Sequence, residues 1–322
     1  MHAQIRCSGM FFSQAPGDTT YSLTLVKESI MNKSGLAISI ITCLLLAGCF
    51  GMSSSSKTKN CPTYKPSIAF LMAQVSAASY ESDKAKLGET LSTLGLTLDP
   101  ISIKDSNTGT QGLLAYNNDM VIVAFRGTED FKDWLGNAQL WENEIKNGPA
   151  CDQKVRVHQG FNDAINSVTK DGKLYARITE LQQSGRQFYI TGHSLGGALA
   201  TLMAYLTTDN NAIRIDGLYT FGQPPVGNQG FRQCFNAKLL EKTFRFVNYK
   251  DVVPRLKPNN SLKHVGLLLF LNKDGSLSTE EPKGLLNTAK NVLDSALVES
   301  HSINEYVGDL EAHRNTNPFA CQ

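Results

Sequence analysis

Residues 192–196 read Gly-His-Ser-Leu-Gly, and a serine held between glycines where a strand runs into a helix can serve as a nucleophile. A serine hydroxyl attacks a carbonyl poorly until a histidine takes its proton, and that histidine needs a carboxylate to orient it. Spacing alone is a weak signal, because G-x-S-x-G arises by chance in about one chain of this length in ten at ordinary glycine and serine usage. The context is more selective. Gln187 to Thr191 (QFYIT) reads as a short buried strand, and from Leu195 the sequence LGGALATLMAYL is small and apolar, as suits a helix packed closely on a sheet. Gly192 and Gly196 then lack side chains because strand and helix crowd each other at the corner.

In hydrolases built on such an elbow the chain order is serine, acid, histidine. The histidines after Ser194 are His264, His301 and His313. Asp251 directly follows the strand-like FRFVNY and precedes Val252-Val253-Pro254, so it falls where loop residues can converge on the serine. Asp216 lies at the wrong end of its strand, and Asp274 sits in a turn-like N-K-D-G. His301 falls in a break between two helix-like segments, as expected of a base on a loop. His264 opens a strand and His313 is close to the terminus.

These groups need a sheet to position them. Met120 to Phe125 (MVIVAF) reads as a strong buried strand and Val155 to Val157 as a short one. Leu218 to Gly222, Phe244 to Tyr249 and Val265 to Leu271 read as further strands. Ser67 to Tyr80 reads as an opening helix, Phe161 toward Gln182 as a helical stretch, and Leu285 to Val298 as a helix; residues 82–110 are ambiguous. Strands alternating with helices indicate one α/β domain with helices on the faces of its sheet. The 322 residues are 41% hydrophobic and 19% charged with a net charge of +2. That is ordinary globular composition, and no basic run or aromatic-basic platform points to nucleic acid.

Six ordered stretches carry a resemblance: FRGTEDFKDWLGN, VHQGF, GHSLGGALA, TFGQPPVGN, NYKDVVPRL and HSINEY. Over about residues 65 to 310 the chain resembles the fungal-type, or class 3, lipases. The resemblance implies an α/β-hydrolase-type domain with a central, mostly parallel sheet, helices on both faces and a helical lid. It implies a triad of Ser194, Asp251 and His301, with oxyanion donors at Thr128 and the Leu195 backbone N–H. Phe131, Trp134, Leu135 and Ala138 fall on one stripe of an amphipathic helix, at the location where the family carries its lid. The family often closes with an aromatic three residues after the histidine; here Tyr306 stands five residues on. The implied reaction is hydrolysis of lipid acyl esters, as a triacylglycerol lipase or a phospholipase A1/lysophospholipase, by a monomer without cofactor or metal. A carboxylesterase for soluble esters and a non-catalytic envelope lipoprotein with a hydrolase fold are the alternatives.

The N-terminal region adds a location. From Met31, MNKSGLAISIITCLLLAGCF has a charged start, an apolar stretch and small residues before a cysteine, the pattern of a secretory signal. Its LAGC resembles the lipobox of bacterial lipoproteins. Residues 1–48 are accordingly expected to be leader and signal peptide with Met31 as the true start, Cys49 the lipidated residue, 49–60 a Ser-rich tether and 61–322 the catalytic domain. Phe50 stands where an inner-membrane retention aspartate would, so an outer-membrane destination in the cell envelope is expected, with contact to the membrane through the lipid anchor. Beyond the tether lie Cys61, Cys151, Cys234 and Cys321, an even number that suggests two disulfides in one of three pairings. Joining Cys61 to Cys321 would staple the ends of the domain and leave Cys151 with Cys234.

Overall fold

Two helices open the described chain, α1 (Pro66–Ala78) and α2 (Lys84–Thr93), followed by strands β1 (Thr97–Leu98), β2 (Ile103–Lys104), β3 (Gln111–Tyr116) and β4 (Met120–Phe125). After β5 (Glu142–Glu144) and β6 (Arg156–His158), helices α3 (Gln159–Thr169) and α4 (Lys173–Gln182) lead to β7 (Gln187–His193). Then come α5 (Leu195–Thr207), β8 (Ile215–Phe221), α6 (Gln229–Leu239), β9 (Thr243–Asn248), β10 (Leu267–Leu271), β11 (Leu277–Ser278) and α7 (Ile303–His313). The computed structural model describes residues 62–128, 142–145, 148–255, 261–282 and 301–319. These residues belong to one compact unit, Lys57–Gln322. The expected helix at 285–298, the stripe bearing Phe131, Trp134 and Leu135, and Cys49, Cys61 and Cys321 lie outside them.

The main sheet runs in the order β1-β3-β4-β7-β8-β9-β10-β11, with β2 pairing β3. From β4 to β10 every pairing is parallel, and the flanking strands are antiparallel. A parallel ladder brings the C-terminal ends of its strands to one edge, so the turns after β4, β7, β8 and β9 all open on the same side. Alternation along β4 sends Val121, Val123 and Phe125 into one core layer and Ile122 and Ala124 into the other. The first layer is closed by α5 and α6 through Ala198, Leu202, Phe231 and Phe235, and the second by α1 and α7 through Ala69, Met72, Tyr306 and Leu310. Each such side chain taken from water contributes about 1.5–3 kcal/mol when it is as large as Leu or Phe.

Local chemistry explains the element ends. Pro66 occupies the first turn of α1, where a missing N–H costs nothing. The Asp83 carboxylate caps α2 by accepting from the Ala85 and Lys86 N–H groups. The ambiguous residues 82–110 thus form α2 and two short edge strands. The stretch expected to be helical from Phe161 to Gln182 is two helices. They part at Gly172, whose φ of +73° suits glycine better than any residue with a side chain.

Cys151 and Cys234 form a disulfide, with Cα atoms 6.0 Å apart, that ties the segment before β6 to α6. Closing a loop of 83 residues restricts the unfolded chain and stabilises a fold by about 2–4 kcal/mol. Replacing both cysteines by alanine is expected to lower the urea midpoint accordingly, and reductant should then have no further effect through this bridge.

Candidate active site

Ser194 sits between β7 and α5 with φ 57° and ψ −128°, the one non-glycine residue with positive φ among the described residues. Such a conformation costs on the order of 1–3 kcal/mol and persists only where surrounding structure dictates it. The dictating contacts are visible. Ser194 N–H donates to Phe221 O at 2.9 Å, and its own carbonyl accepts from Gly197 N–H at 3.0 Å. A Cβ on Gly192 would collide with the Gly196 backbone, and one on Gly196 with the Phe125 backbone. Strands β4 and β7 and helix α5 therefore converge at main-chain contact, and Ser194 caps the junction with its hydroxyl fully buried and making no hydrogen bond to the described residues.

Asp251 lies three residues beyond β9 and is completely buried. Its N–H donates to Asn248 O at 3.0 Å, turning the chain sharply after the strand. Oδ1 accepts from Val253 N–H at 2.9 Å, while Oδ2 accepts from His301 Nδ1–H at 2.8 Å and from the Tyr306 hydroxyl at 2.6 Å. The loop is braced from outside. Arg255 donates to the Asp251 carbonyl and pairs with Glu281 at 2.5 Å, and His264 Nε2–H donates to Pro254 O at 2.6 Å. Gly222, with φ +59°, leaves the room this pair occupies: a Cβ there would stand 2.7 Å from Asp251 Oδ2 and 2.8 Å from His301 Cε1.

His301 precedes α7, whose N-cap is Ser302, and is 7% exposed. Its ring packs on that of His193 with centroids 4.5 Å apart, which sets it beside the chain neighbour of Ser194. Burial pushes His193 well below the ordinary histidine range, and the His301 charge acts in the same direction. Burial, reinforced by Asp251, pushes the Tyr306 phenol well above its usual value, so it stays a hydrogen-bond donor. On the other flank, Gly127 and Thr128 follow β4. A Cβ on Gly127 would stand 2.8 Å from His193 O and 3.2 Å from Ser194 Cβ, so this loop abuts the serine. Leu195 begins α5, and its N–H is one of the four at a helix start without an intrahelical acceptor.

The structure thus joins Asp251 to His301, packs His301 against the residue before Ser194, and brings Gly127, next to Thr128, against Ser194. The competing candidates lie elsewhere. Asp216 Oδ2 accepts from Phe188 N–H near the other end of the sheet, Asp274 binds Ser276 in an exposed turn, and His313 donates to Gly275 O on the surface. Tyr306 as a partner of Asp251 is not indicated by the sequence reasoning. The aromatic five residues past the histidine is its only signal, and one turn of α7 carries it back to the carboxylate.

The family model described as Lipase (class 3) matches residues 122–261. The chain is 31% identical over 160 residues to the secreted mono- and diacylglycerol lipase 1 of Fusarium solani, covering 49% of this chain and 46% of that protein. It is 35% identical over 154 residues to the chloroplastic phospholipase A(1) DAD1 of Arabidopsis thaliana, covering 42% and 33%. The chain spans less than half the length of the curated relatives it matches. Among solved structures, the triacylglyceride lipase of Rhizomucor miehei superposes with a TM-score of 0.58 at 22% identity, over 73% of this chain and 91% of that one. Residues 122–261 thus match the class 3 lipase family model, and the mostly parallel sheet has the α/β-hydrolase fold of the solved lipases.

Proposed function

We propose that this protein hydrolyses acyl esters of lipids through an acyl-enzyme on Ser194. The observation that carries the reading is the buried Asp251–His301 hydrogen bond, with the His301 ring against that of His193, the residue before a serine held at positive φ. In this mechanism Ser194 Oγ attacks the ester carbonyl while His301 Nε2 takes its proton. The imidazolium is stabilised by Asp251 and then gives the proton to the leaving alkoxide. Water repeats the cycle on the acyl-enzyme and restores the serine. Thr128 and the Leu195 N–H meet the oxyanion, aided by the positive end of α5. Thr128→Val is expected to lower kcat by up to about 10²–10³, the cost of a lost oxyanion donor, with KM little changed in steady-state assays.

The similarity to a mono- and diacylglycerol lipase and to a phospholipase A1 supports a lipid substrate. Phe131, Trp134 and Leu135 are assigned to an apolar lid that turns toward lipid. Cys49 is assigned to lipidation after removal of residues 1–48, so that the domain, a monomer, works at the surface of a cell envelope. The F. solani relative is secreted by name, which supports export. Cys61 and Cys321 are assigned to a second disulfide.

The test compares the full chain on short soluble esters, long-chain triglyceride emulsion and phospholipid vesicles, with and without prior labelling of Ser194 by a fluorophosphonate. Activity on the long-chain substrates that the label abolishes, with a step in rate at the onset of aggregation, is expected. Hydrolysis confined to short esters would make the protein a soluble carboxylesterase. Failure of the probe to label Ser194 in folded protein would remove the catalytic reading.

A further inference from the structure

Behind the nucleophile lies a pair of groups that the chemistry above does not use. Tyr80 stands two residues past α1, and its hydroxyl oxygen is 2.7 Å from His193 Nδ1. The Arg126 guanidinium lies 5.5 Å from the centre of the Tyr80 ring, and Arg126 is itself held by Gln111 Oε1 at 3.2 Å. A Cβ on Gly127 would overlap the Tyr80 hydroxyl, so the phenol oxygen is wedged between the loop after β4 and His193. His193 is buried, and its ring lies against that of His301 at 4.5 Å, tilted by 37°. A neutral imidazole has one donor and one acceptor nitrogen, and its neighbours decide which is which.

We infer that Tyr80 is a positioning residue, donating its O–H to His193 Nδ1 and so holding His193 as the neutral Nε2–H tautomer against His301. The inference rests on the assignment of His301 as the base. With Nδ1 occupied as acceptor, the one remaining ring proton resides on Nε2. The His301 backbone favours a proton on this ring and burial disfavours a charge on it, while Nε2 makes no hydrogen bond to the described residues. In the opposite tautomer Nε2 would carry a lone pair on a ring where the His301 backbone favours a proton. His301 would lose its backing at the moment it must carry a proton. A charged His193 would be worse, since a second cation would lie against the imidazolium formed in each half-reaction.

The test is Tyr80→Phe in the full chain, which keeps the ring beside Arg126 and removes only the hydroxyl. On a substrate that wild type hydrolyses, kcat is expected to fall about 10- to 100-fold with KM within about twofold, a fraction of what a positioned acid–base group supplies. In ¹⁵N-histidine spectra the His193 signals should change from the Nε2–H pattern in wild type toward the Nδ1–H pattern in the variant. Unchanged kcat, or reduced kcat with the Nε2–H pattern intact, overturns the inference and leaves Tyr80 as packing. If the variant does not fold, the wild-type spectrum decides alone: an Nδ1–H pattern on His193 overturns it. Fluorophosphonate labelling of wild-type Ser194 is scored separately, so failure of the serine-hydrolase reading is distinguishable from failure of this one.

Discussion

Ser194→Ala is expected to lower kcat by about 10⁶, as removal of the nucleophile does in triads of this kind, while the protein keeps its fold. The methyl group leaves the backbone contacts of the elbow in place, because Phe221 O and Gly197 N bind the main chain of residue 194 and not its side chain. Alanine inherits the φ of 57° and with it the strain. Ser194→Gly is expected to be equally inactive and yet more stable than Ser194→Ala, by about 1–3 kcal/mol, because glycine adopts positive φ without steric cost. Chemical denaturation of the two variants measures that difference directly. Equal stability would mean that the elbow is not strained, and residual turnover of Ser194→Ala above about one part in 10⁴ would mean that another group attacks.

The strain explains why this part of the site is legible in the sequence. A serine at positive φ between two main chains in contact admits no Cβ at Gly192 or Gly196, and that requirement is written as glycine at fixed spacing. Asp251 is legible for a related reason: a parallel strand must end before its loop can reach the sheet edge, and FRFVNY followed by Asp-Val-Val-Pro marks the end. The strands are legible because each is buried on both faces and so reads as an apolar run. β4 spans the residues expected, β7 runs two residues further, to His193, and β8 starts three residues earlier and ends one short, at Phe221.

What the sequence conceals is held by contacts between distant residues. Tyr80 meets His193 across 113 positions and Tyr306 meets Asp251 across 55; neither pairing has a local period or spacing. The split between α3 and α4 turns on one glycine in an otherwise continuous helical pattern. Ionic bracing of the acid loop likewise depends on Arg255 finding Glu281, 26 positions away and beyond β10. Local rules report what one segment prefers, and these features are decided by which segments the sheet brings together.

Asp251→Asn is expected to cost about 10⁴ in kcat, or about 5.5 kcal/mol of transition-state stabilisation. Shape is nearly unchanged, so the loss isolates what the charge does. In the native site Oδ2 accepts from both His301 Nδ1–H and the Tyr306 hydroxyl, and Oδ1 accepts from Val253 N–H. An amide has one oxygen and one NH₂ to offer in place of two acceptors. If its oxygen stays with His301 and Tyr306, the NH₂ faces the Val253 N–H, donor against donor. If it flips, the NH₂ faces His301 Nδ1 and forces the proton to Nε2, where it can no longer accept from Ser194. Either arrangement also removes the negative charge that stabilises the imidazolium. In the first orientation the Val253 clash predicts a second effect: Asp251→Asn is then less stable than wild type by about 1–3 kcal/mol, the cost of an unsatisfied buried donor. Measuring kcat at steady state and the urea midpoint on the same preparation separates the two. Wild-type turnover would remove Asp251 from the mechanism, whatever the stability showed.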